Sequence, residues 1–272
     1  MSQPAMIFSA VVLLSIVIAA FYGLFIYPRQ RRHHLLRQPF PASWQALLEE
    51  RMALYRRLPQ SRRTSLHNHL RLLLDRVEFY GCAGVTVDES MKVLIAAHGA
   101  LLVNGLSPTY YRRLRSILVY PGAYRVQEAV HDGEVLSHSA QERLGESWEQ
   151  GRLVLAWDTL AREAADEHAD SNVALHEFAH QLDQVDGQSD GAPPLASAEL
   201  AEHWQTVFSD AWHRRQRGGH HSVIDEYGAT SPAEFFAVTS ETFFLHPRAL
   251  AHEEPELYRC LSAFYHLDPA HW

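Results

Sequence analysis

Residues 6–27, MIFSAVVLLSIVIAAFYGLFIY, carry no charged side chain. No other feature constrains the fold as much. A run of about 20 apolar residues spans the hydrocarbon core of a bilayer as a helix, and a soluble core helix is rarely apolar on every face. A secretory signal has a basic leading region and ends in small residues. Here MSQPA precedes the run without a basic side chain, and the run ends at Tyr27-Pro28. The expected organisation is a transmembrane anchor over residues 1–28 and a folded domain over residues 29–272. Arg29, Arg31, Arg32 and Arg37 follow the run directly, with His33 and His34 among them. Positive flanks stay on the cytoplasmic side. The chain is therefore expected to be a single-pass protein of the cytoplasmic (inner) membrane, with its N-terminus outside and the domain in the cytoplasm.

Composition removes several classes of function. The formal net charge of −8 argues against direct nucleic-acid binding, which calls for a basic domain. Cys82 and Cys260 are the only cysteines, too few for a disulfide framework or a cysteine-rich zinc knuckle.

Beyond the anchor, Trp44, Leu47, Leu48, Met52 and Tyr55 recur at helical spacing, as do Leu66, Leu70, Leu73 and Val77. Two helices are thus expected over 43–80, broken at Leu58-Pro59-Gln60-Ser61. Thr86-Val-Asp-Glu89 resembles a capping box for a third helix reaching about Val103. SILVY (116–120), stopped by Pro121-Gly122, and LVLAW (153–157), opened by Gly151, read as strands. Further helices are expected over 171–185, with Asp170 or Ser171 as cap, over 197–216, from Ser231-Pro232, and over 254–265. A Gly/Pro/Asp-rich loop covers 186–196. The pattern is α+β, mainly helical with a small sheet.

The chemistry concentrates in NVALHEFAHQLDQVDG, residues 172–187. His176 and His180 are four apart, so on a helix both imidazoles face one point. Glu177 is turned about 100° from His176, beside a bound metal rather than on it, where it can act as a base. Leu175, Phe178, Ala179 and Leu182 form the complementary apolar stripe. With 18 histidines in the chain, H-E-x-x-H arises by chance in roughly one such chain in ten, so context must support it. The preceding strand LVLAW does, because an edge strand aligns the peptide in zinc proteases. A structural zinc site is closed by four Cys/His ligands, and no cysteine lies near.

A catalytic zinc needs a third protein ligand and an open position. Asp186 follows His180 by six, but Asp183 stands where that pattern requires glycine, and no methionine lies beyond Met91 to form a Met-turn. Glu234 and Glu241 are seven apart, two turns of one helix, and share a face. Glu234 also reads as the partner in a Ser231–Glu234 capping box, and Glu241 as an exposed carboxylate. Spacing alone does not choose between them.

HEFAHQLD followed by IDEYGATSPAEFFAVTSETFF resembles the Mlc titration factor A family of bacterial zinc peptidases, and both blocks are similar to the catalytic domain of anthrax lethal factor. The strong likeness covers Leu175–Leu182 and Ile224–Phe244. A looser one, through SILVYPGAY and RLVLAWDTL, extends over most of residues 40–265. The resemblance implies a zincin-like metallopeptidase domain. It implies that Glu234, in the A-E-x-F motif, is the third zinc ligand beside His176 and His180, and that Glu241 is a neighbour. It also implies that Tyr227 donates to the oxyanion and that Glu177 is the general base. Asp183, one turn beyond His180, is a candidate to orient a ligand histidine. The expected partners are a peptide or protein substrate and the membrane. An alternative function is a regulatory protein that sequesters a transcriptional repressor of the Mlc kind, its zinc structural or weakly active.

Overall fold

The computed structural model describes residues 3–122, 151–218 and 222–272. The chain divides into two compact units, residues 1–40 and 41–272.

The first unit is a continuous helical run: α1 (Gln3–Phe21), a π turn (Tyr22–Ile26) and α2 (Tyr27–Arg37). Pro28 explains the π turn. It has no N–H and its ring crowds the carbonyl four residues back, so the chain widens just before it and the N–H of Tyr27 bonds the carbonyl of Tyr22. One helix, Val12–Arg37, is long and apolar enough to cross a membrane, and none of its apolar stretch is buried in protein. Phe8 and Leu24 are each 71% exposed. A soluble protein seldom leaves so much contiguous apolar surface uncovered.

The second unit is mostly helical around a small parallel sheet. It runs α3 (Ala42–Arg51), α4 (Ala53–Arg57), α5 (Gln60–Arg76), β1 (Glu78–Gly81), α6 (Glu89–Leu102), β2 (Ser116–Tyr120) and β3 (Arg152–Ala156). Then follow α7 (Trp157–Ala165), α8 (Val173–Asp183), α9 (Ala198–Gln216), α10 (Pro232–Leu245), α11 (Pro247–Glu253) and α12 (Pro255–Tyr265). The sheet order is β1-β2-β3, with Glu78 opposite Ser116 and Ser116 opposite Arg152. Ile117, Val119, Leu153 and Leu155 alternate into the core, as period-two pleating requires. Among the described residues β3 is an edge strand.

Several elements differ from the spacing-based expectation. Residues 43–80 hold three helices and a strand. Met52 turns extended (φ −126°, ψ 100°) with its side chain fully buried, which splits the first helix. Val77 ends α5 in extended geometry, and residues 78–81 pair with β2 rather than completing a helix. The cap of α6 is Asp88, whose carboxylate accepts from Met91 N at 2.8 Å. Glu89 does not close a box with Thr86 but accepts from the Trp44 indole at 2.7 Å. Trp157 belongs to α7, not to the strand before it.

What positions α8 is burial on three sides: it packs on α6, on α10 and on β3. Its stripe of Leu175, Phe178, Ala179 and Leu182 is fully buried. Gly99 of α6 leaves room for the Phe178 ring: an added Cβ would lie 2.7 Å from it, so a larger residue would require the ring to shift. Trp204 stacks on Phe208 at 3.9 Å between centroids and edges onto Phe236, tying α9 to α10.

Candidate metal centre

Three side chains accept from backbone N–H groups at the start of α8. Asn172 is the cap, its Oδ1 accepting from Leu175 N at 3.0 Å. The expected caps were Asp170 or Ser171; Asn172 wins because its own backbone is extended (φ −147°) and the helix begins one residue later. Glu163 accepts from Val173 N at 2.7 Å and from the Ser171 hydroxyl at 2.9 Å. The N–H of Asn172 itself donates to Glu241 Oε2 at 2.7 Å. Fixed in this way at its start and along its apolar stripe, the helix has little freedom to rotate.

Its opposite face brings His176 and His180 together, their Nε2 atoms 3.2 Å apart. Glu234 arrives from α10. Ser231 caps that helix by accepting from Glu234 N at 3.2 Å, and Pro232 occupies its first turn, where no N–H is needed. The Glu234 carboxylate lies on the imidazoles: Oε2 is 2.9 Å from His176 Nε2 and 3.4 Å from His180 Nε2. His176, His180 and Glu234 each offer one ligand atom, all within 4.8 Å of one another, and could together hold a metal ion.

Glu241, two turns along α10, is not an exposed carboxylate. It is buried, and its Oε1 lies 2.6 Å from His176 Nδ1. One imidazole is thus met by a carboxylate at each nitrogen.

The electrostatics follow from that contact. Burial pulls the His176 imidazole down, but its hydrogen bonds to Glu234 and Glu241, with the charges of Glu241 and Glu177, outweigh it and hold the group well above its ordinary value. Burial pushes the Glu234 carboxyl up, yet His176 and His180 bring it down to about 2. The two shifts are one interaction: the imidazole and the carboxylates stabilise each other's charged forms.

Tyr227 sits on a 3-10 turn, Glu226–Ala229, capped by Asp225, whose Oδ1 accepts from Tyr227 N at 2.8 Å. Its ring centroid is 6.0 Å from that of His176, and the side chain is 48% exposed. Glu177 is half-buried on α8. Asp186 is exposed and bonds Gln188 N at 2.9 Å, within its own turn. His220 and His221 lie outside the described residues.

Asp183 is fully buried but has a different partner from the one suggested by its spacing. Its Oδ2 accepts from Gly191 N at 3.0 Å, pinning the loop after α8. Gly191 holds a left-handed φ of 77°, its Cβ position lies 2.3 Å from the carbonyl of Pro232, and its own carbonyl accepts from the Trp204 indole at 3.1 Å. Burial, with the charges of Asp190 and Asp186, pushes the Asp183 carboxyl up to about 7 despite the Gly191 and Ala192 amides. In the unfolded chain the same group titrates near about 4. Between those values the folded state binds the extra proton, so this group makes stability fall as pH rises from about 4 to about 7. Asp183→Asn is expected to remove that contribution, on the order of 1 kcal/mol per pH unit. Urea unfolding of metal-free protein at pH 5 and pH 7 checks it: the parent must lose stability relative to the variant between the two pH values, and a constant offset contradicts it.

Sequence reasoning missed Asn172, Glu163 and the bond from Glu241 to His176. A trace of the last was present in the seven-residue spacing of Glu234 and Glu241. Glu163 left none, because it reaches the motif helix from a different helix.

A family model described as glucose-regulated metallo-peptidase M90 matches residues 27–266. An uncharacterised protein of Synechocystis is 36% identical over 258 residues, covering 93% of this chain and 94% of the relative. Mlc titration factor A of Yersinia enterocolitica is 33% identical over 217 residues, covering 77% of this chain and 79% of the relative. The Yersinia pestis protein of the same name is 33% identical over 204 residues, 72% and 74% of the two chains.

Proposed function

The chain belongs to the glucose-regulated metallo-peptidase M90 family, and from that premise we propose that it is a zinc-dependent peptidase of zincin-like fold, tethered to the cytoplasmic membrane by its N-terminal helix with the folded domain on the cytoplasmic side. The observation that carries the proposal is the convergence of His176, His180 and Glu234 from two helices, with Glu177 beside them.

The donor set fits zinc. Two imidazoles and a carboxylate suit zinc better than the all-oxygen sites of magnesium or calcium. Bonds of 2.0–2.1 Å at tetrahedral angles put neighbouring ligand atoms about 3.3 Å apart. The three separations here are 2.9, 3.2 and 3.4 Å. Zinc in such a site supplies Lewis acidity, polarising a carbonyl and bringing the pKa of a water down to about 7.

The chain's own residues do the rest. His176, His180 and Glu234 would hold the ion. The Glu177 carboxylate takes the proton from the attacking water as its oxygen adds to the peptide carbonyl carbon. It then delivers that proton to the leaving nitrogen as the C–N bond breaks, giving a free acid and a free amine. The Tyr227 phenol donates a hydrogen bond to the oxyanion as charge develops. Its half-exposed ring, with its centroid 6.0 Å from that of His176, supports this role. Among the described residues β3 pairs on one side only, which supports the docking of an extended peptide along its other edge.

Metal removal tests the proposal. Full-length protein in detergent is expected to cleave members of a mixed peptide library, to lose that activity on treatment with a chelator, and to regain it with one equivalent of zinc. Cleavage that persists after zinc is stripped contradicts it.

The name of the Yersinia relatives, Mlc titration factor A, favours a second reading. The chain binds a transcriptional regulator of that kind, and the metal serves the fold. Binding of a regulator that survives loss of Glu177, with no peptide cleaved by the parent, would select that reading.

A further inference from the structure

We propose that Glu241 is a positioning residue that fixes the tautomer and direction of the His176 imidazole for metal binding, an inference that rests on the metal site proposed above.

A histidine binds a metal through a nitrogen that carries no proton, so its other nitrogen must hold the proton and find an acceptor. For His176 the nitrogen facing His180 and Glu234 is Nε2. The remaining one, Nδ1, meets Glu241 Oε1 at 2.6 Å. A carboxylate has no proton of its own to give there, so the hydrogen on that line sits on Nδ1, which leaves Nε2, facing His180 and Glu234, as the nitrogen that gives up its proton when a metal binds. Glu241 is not free to swing away. It is buried, and its second oxygen accepts from Asn172 N at 2.7 Å. The same carboxylate therefore ties the start of the motif helix and the first histidine of the motif to α10.

The spacing of α10 makes this a single device. Glu234 and Glu241 are two turns apart, about 10.5 Å along the axis, and face α8 together. One carboxylate reaches Nε2 of His176 and the other reaches Nδ1. A rotation of the ring that kept either contact would lose the other. Asp183, the other buried carboxylate near the motif, serves a different purpose, since its oxygen is used by Gly191.

Glu241→Gln gives a sharp test because it keeps the size of the side chain and changes its donor pattern. The N–H of Asn172 can only donate, so the amide must turn its oxygen toward it. The NH2 group then faces Nδ1, which must accept, and the proton moves to Nε2, where it blocks the metal. Full-length parent and variant are compared in three ways: zinc affinity by chelator competition, the proton on His176 Nδ1 in long-range proton–nitrogen spectra of the metal-free protein, and thermal unfolding of the metal-free protein. The expected result is zinc binding weaker by about 10–100-fold together with loss of the proton from Nδ1, leaving the ring in the Nε2–H form. A purely structural Glu241 would lower the melting temperature and leave both the tautomer and the intrinsic zinc affinity unchanged, which would overturn the proposal. His180→Ala separates the premise from the inference. If that variant binds zinc as the parent does, the metal site itself is wrong; if it loses zinc while Glu241→Gln keeps parental affinity and tautomer, only the role of Glu241 is wrong.

Discussion

Glu177→Gln is expected to lower kcat for peptide hydrolysis by about 10²–10⁴-fold, the usual contribution of a positioned general base, while zinc content and KM stay close to parental. The glutamine keeps the shape of the side chain, so the half-buried position on α8 is filled as before. It cannot accept a proton, so the water is no longer activated and the leaving nitrogen is no longer protonated. The metal ligands are untouched, because Glu177 lies beside His176 on α8 and is not one of the three groups that converge. Steady-state kinetics on one cleaved peptide, with zinc measured on the same sample, give the result. A variant that cleaves at the parental rate removes Glu177 from the mechanism.

Glu234→Ala is expected to do more damage through a different route. Two imidazoles remain, the carboxylate that bridges them is gone, and zinc binding should fall far below that of the parent. The consequence for stability is readable without any substrate. A ligand present at 100 times its Kd stabilises the folded state by about 2.7 kcal/mol, so zinc should raise the parent's melting temperature and leave the variant's unchanged. The metal-free variant should also be less stable than the metal-free parent. Glu234 is held down to about 2 by His176 and His180, which means the charged carboxylate favours the fold once pH is above its unfolded value, and that contribution is lost as pH falls through the folded one. Calorimetry with and without zinc checks both statements. A variant whose melting temperature rises with zinc as the parent's does would show that Glu234 is not a ligand.

Much of this arrangement was legible in the sequence because it depends on local periodicity. The i, i+4 pair of His176 and His180, and the stripe of Leu175, Phe178, Ala179 and Leu182, are properties of a single helix. So is the Ser231-Pro232 start of α10, and the alternation in β2 and β3. Residues 78–81 were not legible as a strand, because four residues pair there only through β2, a partner some forty positions away. Met52 was assigned to a helix since its spacing fits one, yet its burial is achieved by breaking the helix. The choice between Glu234 and Glu241 was closed to spacing for a related reason. Both face α8, and only the axial offset between two helices decides which carboxylate meets Nε2 and which meets Nδ1. Asp183 shows the converse error: one turn from His180 on the helix, it is claimed by the backbone of Gly191, a residue on a loop whose path local sequence does not determine.

The most direct test of the central claim is the zinc content of the full-length chain beside that of His180→Ala, measured by elemental analysis after dialysis against buffer without added metal. His180 is fully buried and touches both other ligands, so its removal should empty the site. The account predicts one zinc per chain in the parent and none in the variant. Equal zinc in the two proteins, or no zinc in a parent that cleaves peptides, would contradict it.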